Sequence, residues 1–317
     1  MADTRIVALA GTSTGVGRCI AESILKRGGT IARELRILSR HPIDIPAFSG
    51  HVHIVDYTAP DSESDDPAES LIAALTGVHT VISAIGGHIQ SGRAQVALVK
   101  AAVAAGVVRF VPSGWSATNA GPQDVIELYR FQAPAIDALR TSGLQWSFPA
   151  NGIFINYLAT PKAAAIGPLK PLKFWIDIEN RKATIPGDGT KQLVYTTVED
   201  VGEFVAKALE ECWDREWPNP LTIVGAHVTH RQLVQYAEKA LGGEPFEVVY
   251  KNEGQLKSEL VPNPPSVYVN LTTQLSLAIL EDRFTFQPTS KFGDLEFTPP
   301  EFTQPEAFIN KWWGGAQ

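Results

Sequence analysis

Through the first half of the chain, short apolar runs alternate with stretches in which apolar residues recur at helical spacing. Residues 5–10 (R-I-V-A-L-A) make a brief continuous apolar run, the pattern of a strand buried on both faces. Cys19, Ile20, Ile24 and Leu25 then recur at helix period until Gly28 and Gly29 stop them. The alternation goes on: strands are predicted at 35–38, 52–56, 78–87, 107–115 (with its loop) and 144–148. Between them, helices are predicted around Leu71, Ile72 and Leu75, from 95 to 106, and around Ile136, Ala138 and Leu139. No hairpin signal interrupts the series. Strand–helix alternation of this kind predicts an α/β fold, a doubly wound parallel sheet of the Rossmann type, with binding at the carboxyl ends of the strands.

Beyond about residue 150 the pattern changes. Residues 151–173 are apolar and irregular, broken by Pro161, Gly167, Pro168 and Pro171, and lead into Phe174 and Trp175. A strand ending in a turn is predicted at 183–189 and a further strand at 221–225. Thr197 with Asp200 predicts a capping box for a helix carrying Val201, Phe204, Val205 and Leu209, and Thr229 predicts the cap of a helix through Leu241. The last third is rich in Pro and Phe. The expected organisation is a nucleotide-binding domain over 1–155 and a smaller substrate-binding region over 156–317 that partly rejoins the sheet.

The candidate chemistry starts at the first strand–helix turn, Gly11, Thr12, Ser13, Thr14, Gly15, Val16 and Gly17. Such a turn lets backbone N–H groups approach a pyrophosphate while the helix N-terminus favours negative charge. Its spacing is G-x-x-x-G-x-G. The second strand closes on Ser39 and Arg40, 23 residues after Gly17, with no carboxylate in that place. A carboxylate there would read the ribose hydroxyl of NAD; a guanidinium suits the 2′-phosphate of NADP. Ala84, Ile85, Gly86 and Gly87 end the fourth strand in residues that let backbone pass close to a cofactor, and His88 is expected to be a loop residue.

Composition narrows the classes. The 317 residues are 44% hydrophobic and 19% charged, with a net charge of -7, which argues against a polyanion partner. Cys19 and Cys212 have no metal or redox spacing, and Cys19 is expected to be a small buried apolar residue. The carboxylates at 61, 63, 65 and 66 read as a solvated loop, so no metal is expected. The opening five residues lead straight into a strand, and no apolar stretch is long enough for a bilayer; a cytoplasmic location is expected.

With these motifs in order, the sequence resembles the NmrA-like or isoflavone-reductase-like atypical short-chain dehydrogenases/reductases, in their fungal form. The resemblance is carried by A-G-T-S-T-G-V-G-R at 10–18, L-S-R at 38–40, V-I-S-A-I-G-G at 81–87, A-A-G-V-V-R-F-V-P-S at 104–113, S-G-L-Q-W-S at 142–147, and I-P-G-D-G-T with V-E-D-V further on, covering the chain to about Gly243. It implies NADPH as cofactor, and a cleft between the two regions in which Ser113, Trp115 and the 148–154 segment, with Pro149, Asn151 and Phe154, lie near the nicotinamide. Two departures stand out. Thr14 occupies the family's usual glycine position, with the glycine displaced to Gly15. Gln132, eleven residues before Gly143, stands where reductases of this family place a lysine. Tyr129 does not restore a Tyr-x-x-x-Lys pair, because Ala133 fills the lysine position.

Three functions are compatible with these residues. The first is NADPH-dependent reduction of a small aromatic or polycyclic secondary metabolite, with Gln132 and Ser113 as neutral donors and Trp115, Gln132, Phe154, Tyr157 and Trp175 lining the substrate site. The second is a non-redox cyclase or isomerase that keeps the nucleotide as a wall of its cleft. The third is a nucleotide-ratio sensor. The aromatic residues favour an enzyme with an apolar cleft over the sensor. No nucleic-acid or membrane partner is expected.

Overall fold

The structure, a computed structural model, describes residues 5–57, 68–86, 89–117 and 125–315. The acidic stretch at 61–66, Gly87 and His88 lie outside the described residues. Strands β1 (Ile6–Ala10), β2 (Glu34–Ser39), β3 (Val52–Ile54), β4 (Thr80–Ser83), β5 (Arg109–Val111) and β6 (Gln145–Trp146) form one sheet in the order β3-β2-β1-β4-β5-β6, every neighbour parallel. Helices α1 (Gly15–Arg27), α2 (Glu69–Leu75), α3 (Ile89–Ala104) and α4 (Ala133–Arg140) connect them. The strand order reverses between β1 and β4, so a crevice opens at the carboxyl ends of those two strands.

The apolar run of β1 is continuous because both of its faces are covered. Val7 and Leu9 join Ile20, Ile24, Ile37, Ile82 and Val111 on one face, whereas Ala8 and Ala10 join Leu38, Val81, Phe110, Leu98 and Leu139 on the other. Helices α2, α3 and α4 supply the second face. The first face is completed by α1 and by α6 (Val198–Glu211), which comes from the other half of the chain, through the Val201, Phe204, Val205 and Leu209 stripe. Burial of these side chains, at roughly 1.5–3 kcal/mol each, is the main term holding α6 on the sheet.

Beyond β6 the chain builds small sheets. β7 (Pro149–Ala150) pairs with β12 (Leu221–Thr222), and β8 (Ile153–Phe154) with β11 (Gln192–Thr196), both parallel; β11 also pairs with β13 (Ala226–Thr229), antiparallel. β10 (Lys182–Pro186) lies between β9 (Ile176–Asp177) and β14 (Glu247–Lys251). A four-residue helix α5 (Ala163–Ile166) lies between β8 and β9, α7 (His230–Ala240) lies between β13 and β14, and α8 (Glu253–Ser258), α9 (Leu271–Leu280) and α10 (Pro305–Trp313) follow β14. Strands β11, β13 and β14 and the last three helices were not marked by the sequence pattern. Among the described residues no helix is long and apolar enough to cross a membrane.

The two predicted helix caps differ in outcome. Thr229 makes the full reciprocal box with Gln232. Thr197 accepts from the Asp200 N–H at 2.9 Å, but the Asp200 carboxylate accepts instead from the Thr303 N–H at 2.9 Å, fastening the C-terminal segment to α6.

Two features tie the halves together. At Gly202 a β-carbon would come within 2.6 Å of the Cys19 carbonyl oxygen, so α1 and α6 cross at backbone contact. Cys19 is buried there as expected; burial first, then the Glu199 carboxylate, pushes its thiol up to about 12, which keeps it inert. Arg109, 2% exposed within β5, donates to Gln145 and to the Trp213 and Arg215 carbonyls just past α6, and lies over the Trp217 ring. Burial lowers it only to about 10, so it stays charged against that helix C-terminus.

Gly202→Val is expected to destabilise the protein by about 1–3 kcal/mol through overpacking, seen as a melting temperature lower by about 2–10 °C. A second expectation concerns His230, buried between Trp175 and Tyr195, where desolvation pushes its pKa down to about 3. The unfolded chain protonates this group near 6.5, so its contribution is complete above that pH and is lost as pH falls toward 3, by up to about 1.4 kcal/mol per unit. Urea midpoints across that interval should show a shallower slope in His230→Phe than in the wild type.

Candidate active site

The turn between β1 and α1 sits on the end of β4. Gly11 has φ +85°, and a β-carbon there would lie 2.5 Å from the Ala84 carbonyl carbon and oxygen. At Gly17 it would lie 2.3 Å from the Gly11 oxygen. Only glycine fits either place, which seats the loop low enough for a ligand to reach its amides. Thr14 is extended (φ -149°, ψ 174°), a backbone open to any residue, and the left-handed position has moved to Gly15, at φ +66°. The displaced glycine therefore follows a displaced turn. The first turn of α1 carries no acidic residue, and the Thr12 hydroxyl is buried without a partner. The loop fits an anion, and the Gly15 N–H donates to the Pro168 carbonyl at 2.7 Å.

At the end of β2 a cavity of about 380 Å³ is lined by Ser13, Arg18, Ser39, Arg40, Asp44 and Tyr57, among others. Arg40 lies over the Tyr57 ring, 6.0 Å from its centroid; burial raises the Tyr57 phenol, and the guanidinium offsets only part of that rise. The Ser39 hydroxyl donates to the His41 carbonyl and accepts from the His41 N–H, turning the chain so that Arg40 borders the cavity. Arg18, bonded to Glu22 at 2.8 Å, brings a second guanidinium. Sequence reasoning missed Arg18 although it stands in the glycine motif itself, directly after Gly17.

At the carboxyl ends of β4 and β5 the groups are more occupied than the sequence implies. The Ser113 N–H donates to Gln95 at 2.8 Å, and its hydroxyl donates to the Ile85 carbonyl at 3.0 Å. That proton is spent on holding the β4 end, so Ser113 is no free donor. Trp115 donates its indole N–H to the Ser83 carbonyl at 2.9 Å and packs, with Ala84, Tyr157 and Leu169, against the cluster that holds Val16 and Phe154. Gly86 is exposed beside buried Ile85. Pro149 and Asn151 are buried, the latter with an unpartnered Oδ1.

The aromatic residues divide. Phe154, Tyr157 and Phe174 meet edge to face, and Phe174 stacks on Trp175. The gap among them is only about 10 Å³. Trp175 is 4% exposed and donates to Ser276 at 2.8 Å, so the structure places it in the core of the C-terminal region rather than on an open wall. Burial pushes the Tyr157 phenol up to about 12, keeping it neutral.

Gln132 ends a 3-10 helix spanning Glu127–Gln132 and is 5% exposed. Residues three apart eclipse in that helix, so Tyr129 and Gln132 share a side. The Tyr129 hydroxyl is hydrogen-bonded to Ser116, and the Ser116 carbonyl accepts from the Asn151 and Gly152 N–H groups. Ser116 and Tyr129 are polar groups that the sequence did not single out as a pair, because they meet only through the fold. Among the described residues no cluster could hold a metal ion.

The sequence profile of the NmrA-like family matches residues 16–302. The chain belongs to the NmrA-like family. Among curated relatives, the oxidoreductase BOA1 of Botryotinia fuckeliana is 31% identical over 250 residues, covering 74% of this chain and 76% of that protein. The oxidoreductase swnN of Metarhizium robertsii is 23% identical over 349 residues, covering 97% of both. Of solved structures, AtPrR2 with NADP+ and (+)-pinoresinol superposes with a TM-score of 0.73 at 20% identity, covering 98% of this chain and 100% of that one. The NADPH complex of leucoanthocyanidin reductase from Vitis vinifera gives 0.71 at 18%, covering 97% and 99%. The NmrA-like assignment and the Rossmann-type sheet expected from the motifs both hold.

Proposed function

We propose that this NmrA-like chain is an NADPH-dependent reductase of a small aromatic or polycyclic secondary metabolite. One observation carries the cofactor half of this reading: a cavity bordered by Arg40 and Arg18 beside a glycine loop seated by close backbone packing at the N-terminus of α1. Two guanidiniums, each with several donors, suit a phosphate dianion on the ribose. The pyrophosphate then falls to the amides at the N-terminus of α1, and the cleft beyond β4 and β5 is left to substrate. The partly exposed rings of Trp115 and Tyr157, backed by buried Phe154, support a flat aromatic ligand. So do the relatives, which include a pinoresinol-lariciresinol reductase of Linum usitatissimum.

When bound, the nicotinamide nucleotide supplies the hydride. The chain's own residues orient substrate, exclude water and meet the charge that develops on it. Gln132, with an amide in place of the family's lysine, donates a hydrogen bond and carries no proton to transfer. Ser113 supports it indirectly by fixing the β4 end through Ile85. The neutral residue at position 132 also favours a second reading, a non-redox cyclase or isomerase held on the same scaffold. Conversion of substrate with no loss of NADPH absorbance would identify that reading; stoichiometric loss supports reduction.

Two expectations follow from the assigned roles. Arg40→Ala should weaken NADPH binding about ten- to hundredfold and leave NADH binding nearly unchanged, as measured by titration of both nucleotides. Equal affinities of the wild type for the two nucleotides would contradict the role of Arg40. Gln132→Leu should slow turnover by ~10²-fold, the scale of one lost donor, with nucleotide affinity retained. Wild-type turnover in that variant would remove Gln132 from the reaction.

A further inference from the structure

The first amide of α1 already has a partner. Gly15 N–H donates to the Pro168 carbonyl at 2.7 Å, and Pro168 belongs to a strap that runs from the end of the 3-10 helix at Ala159 to near Leu172. The Thr160 hydroxyl donates to the Leu172 carbonyl at 2.9 Å and closes the base of this loop. Within it, α5 packs on the 3-10 helix Ile155–Ala159, and Ile166 is 3% exposed. Leu169 packs against the cluster of Val16 and Phe154, alongside Trp115 and Tyr157. Gly167 runs beside Glu199 of α6, whose other carboxylate oxygen accepts from Asn156 at 3.0 Å.

The Pro168 carbonyl and a phosphate oxygen compete for this one N–H, which can serve both only as a weaker shared bond. The cavity at Arg40, by contrast, is open at about 380 Å³ and no strap residue borders it. The two ends of a dinucleotide thus meet different surfaces, one ready and one held.

We propose that the 163–169 strap is a latch on the dinucleotide loop. Pro168 holds the Gly15 amide and Leu169 covers the apolar end of the crevice. Binding of the adenosine half at Arg40 precedes release of Pro168, and release uncovers Trp115, Phe154 and Tyr157, so substrate enters second. The latch rests on the NADP(H) reading above. A latch lowers apparent affinity by the fraction of molecules in which it is open, so loosening it tightens binding of any ligand that must displace it.

The test uses the full chain and two probes: adenosine 2′-monophosphate, which fills only the Arg40 end, and NADP+, which must also reach Gly15. By calorimetric titration, Ile166→Ala and Leu169→Ala should each bind NADP+ about three- to tenfold more tightly than wild type, the scale of one net hydrogen bond. Binding of adenosine 2′-monophosphate should be unchanged in both. Hydrogen exchange of peptides over 163–170 in the wild type should quicken with NADP+ and not with the monophosphate. Unchanged NADP+ affinity in both variants, or strap exchange indifferent to NADP+, would overturn the latch while leaving the cofactor reading intact. Failure of the wild type to bind either probe would overturn the cofactor reading and the latch with it.

Discussion

The close crossing of α1 and α6 at Gly202 and Cys19 is the contact on which the rest of the molecule depends. α1 begins at the glycine loop, and α6 begins at Thr197, the cap that carries the chain out of the small C-terminal sheets. Packing the two at backbone distance brings the second half of the chain to the mouth of the first. Arg109 reinforces the join from the opposite end of α6, donating to the Trp213 and Arg215 carbonyls in the turn just past that helix. A buried charge in β5 is tolerated there because its Nε and Nη2 donate to Gln145 and two carbonyl oxygens and the Trp217 ring lies against it, with Nη1 alone left unpartnered.

From that join follows the layout of the site. Glu199, in the first turn of α6, holds Asn156 and runs beside Gly167, so the strap lies between the two helix N-termini. Thr303 on the Asp200 carboxylate brings the C-terminal segment against the same helix. The crevice at the β1–β4 reversal is consequently walled by both halves. Beside it, at the end of β2, stand two guanidiniums, and beyond β4 and β5 lie aromatic and neutral polar side chains. Charge is met where a phosphate would lie, and the region assigned to chemistry holds hydroxyls, an amide and a phenol kept neutral by burial.

The parts legible in the sequence were those with local causes. The central sheet shows in its apolar runs because both faces of β1 and β4 are covered, and the loop shows in Gly11 and Gly17 because backbone lies where a β-carbon would be. Arg40 shows because strand ends in this architecture have assigned neighbours. The rest depended on contacts between distant segments. β11 and β14 lie outside the parallel sheet that is covered on both faces, and their pairing partners lie far along the chain. Trp175 read as a cleft residue, since nothing local reveals that Ser276 accepts its indole N–H. Ser113 read as a donor because the Ile85 carbonyl that takes its proton belongs to another strand. Ser116 and Tyr129 meet only after β5 and the following 3-10 helix are folded, and Arg18 reaches the Arg40 cavity only once α1 stands beside the end of β2.

A crystal structure grown with NADP+ tests the central claim most directly, that the glycine loop and Arg40 form one dinucleotide site guarded by the strap. The result predicted is a 2′-phosphate within hydrogen-bond reach of Arg40, the pyrophosphate on the Gly15 amide, and Pro168 withdrawn from it. A bound nucleotide lying away from Arg40, or one seated with the Gly15–Pro168 bond still in place, would contradict it.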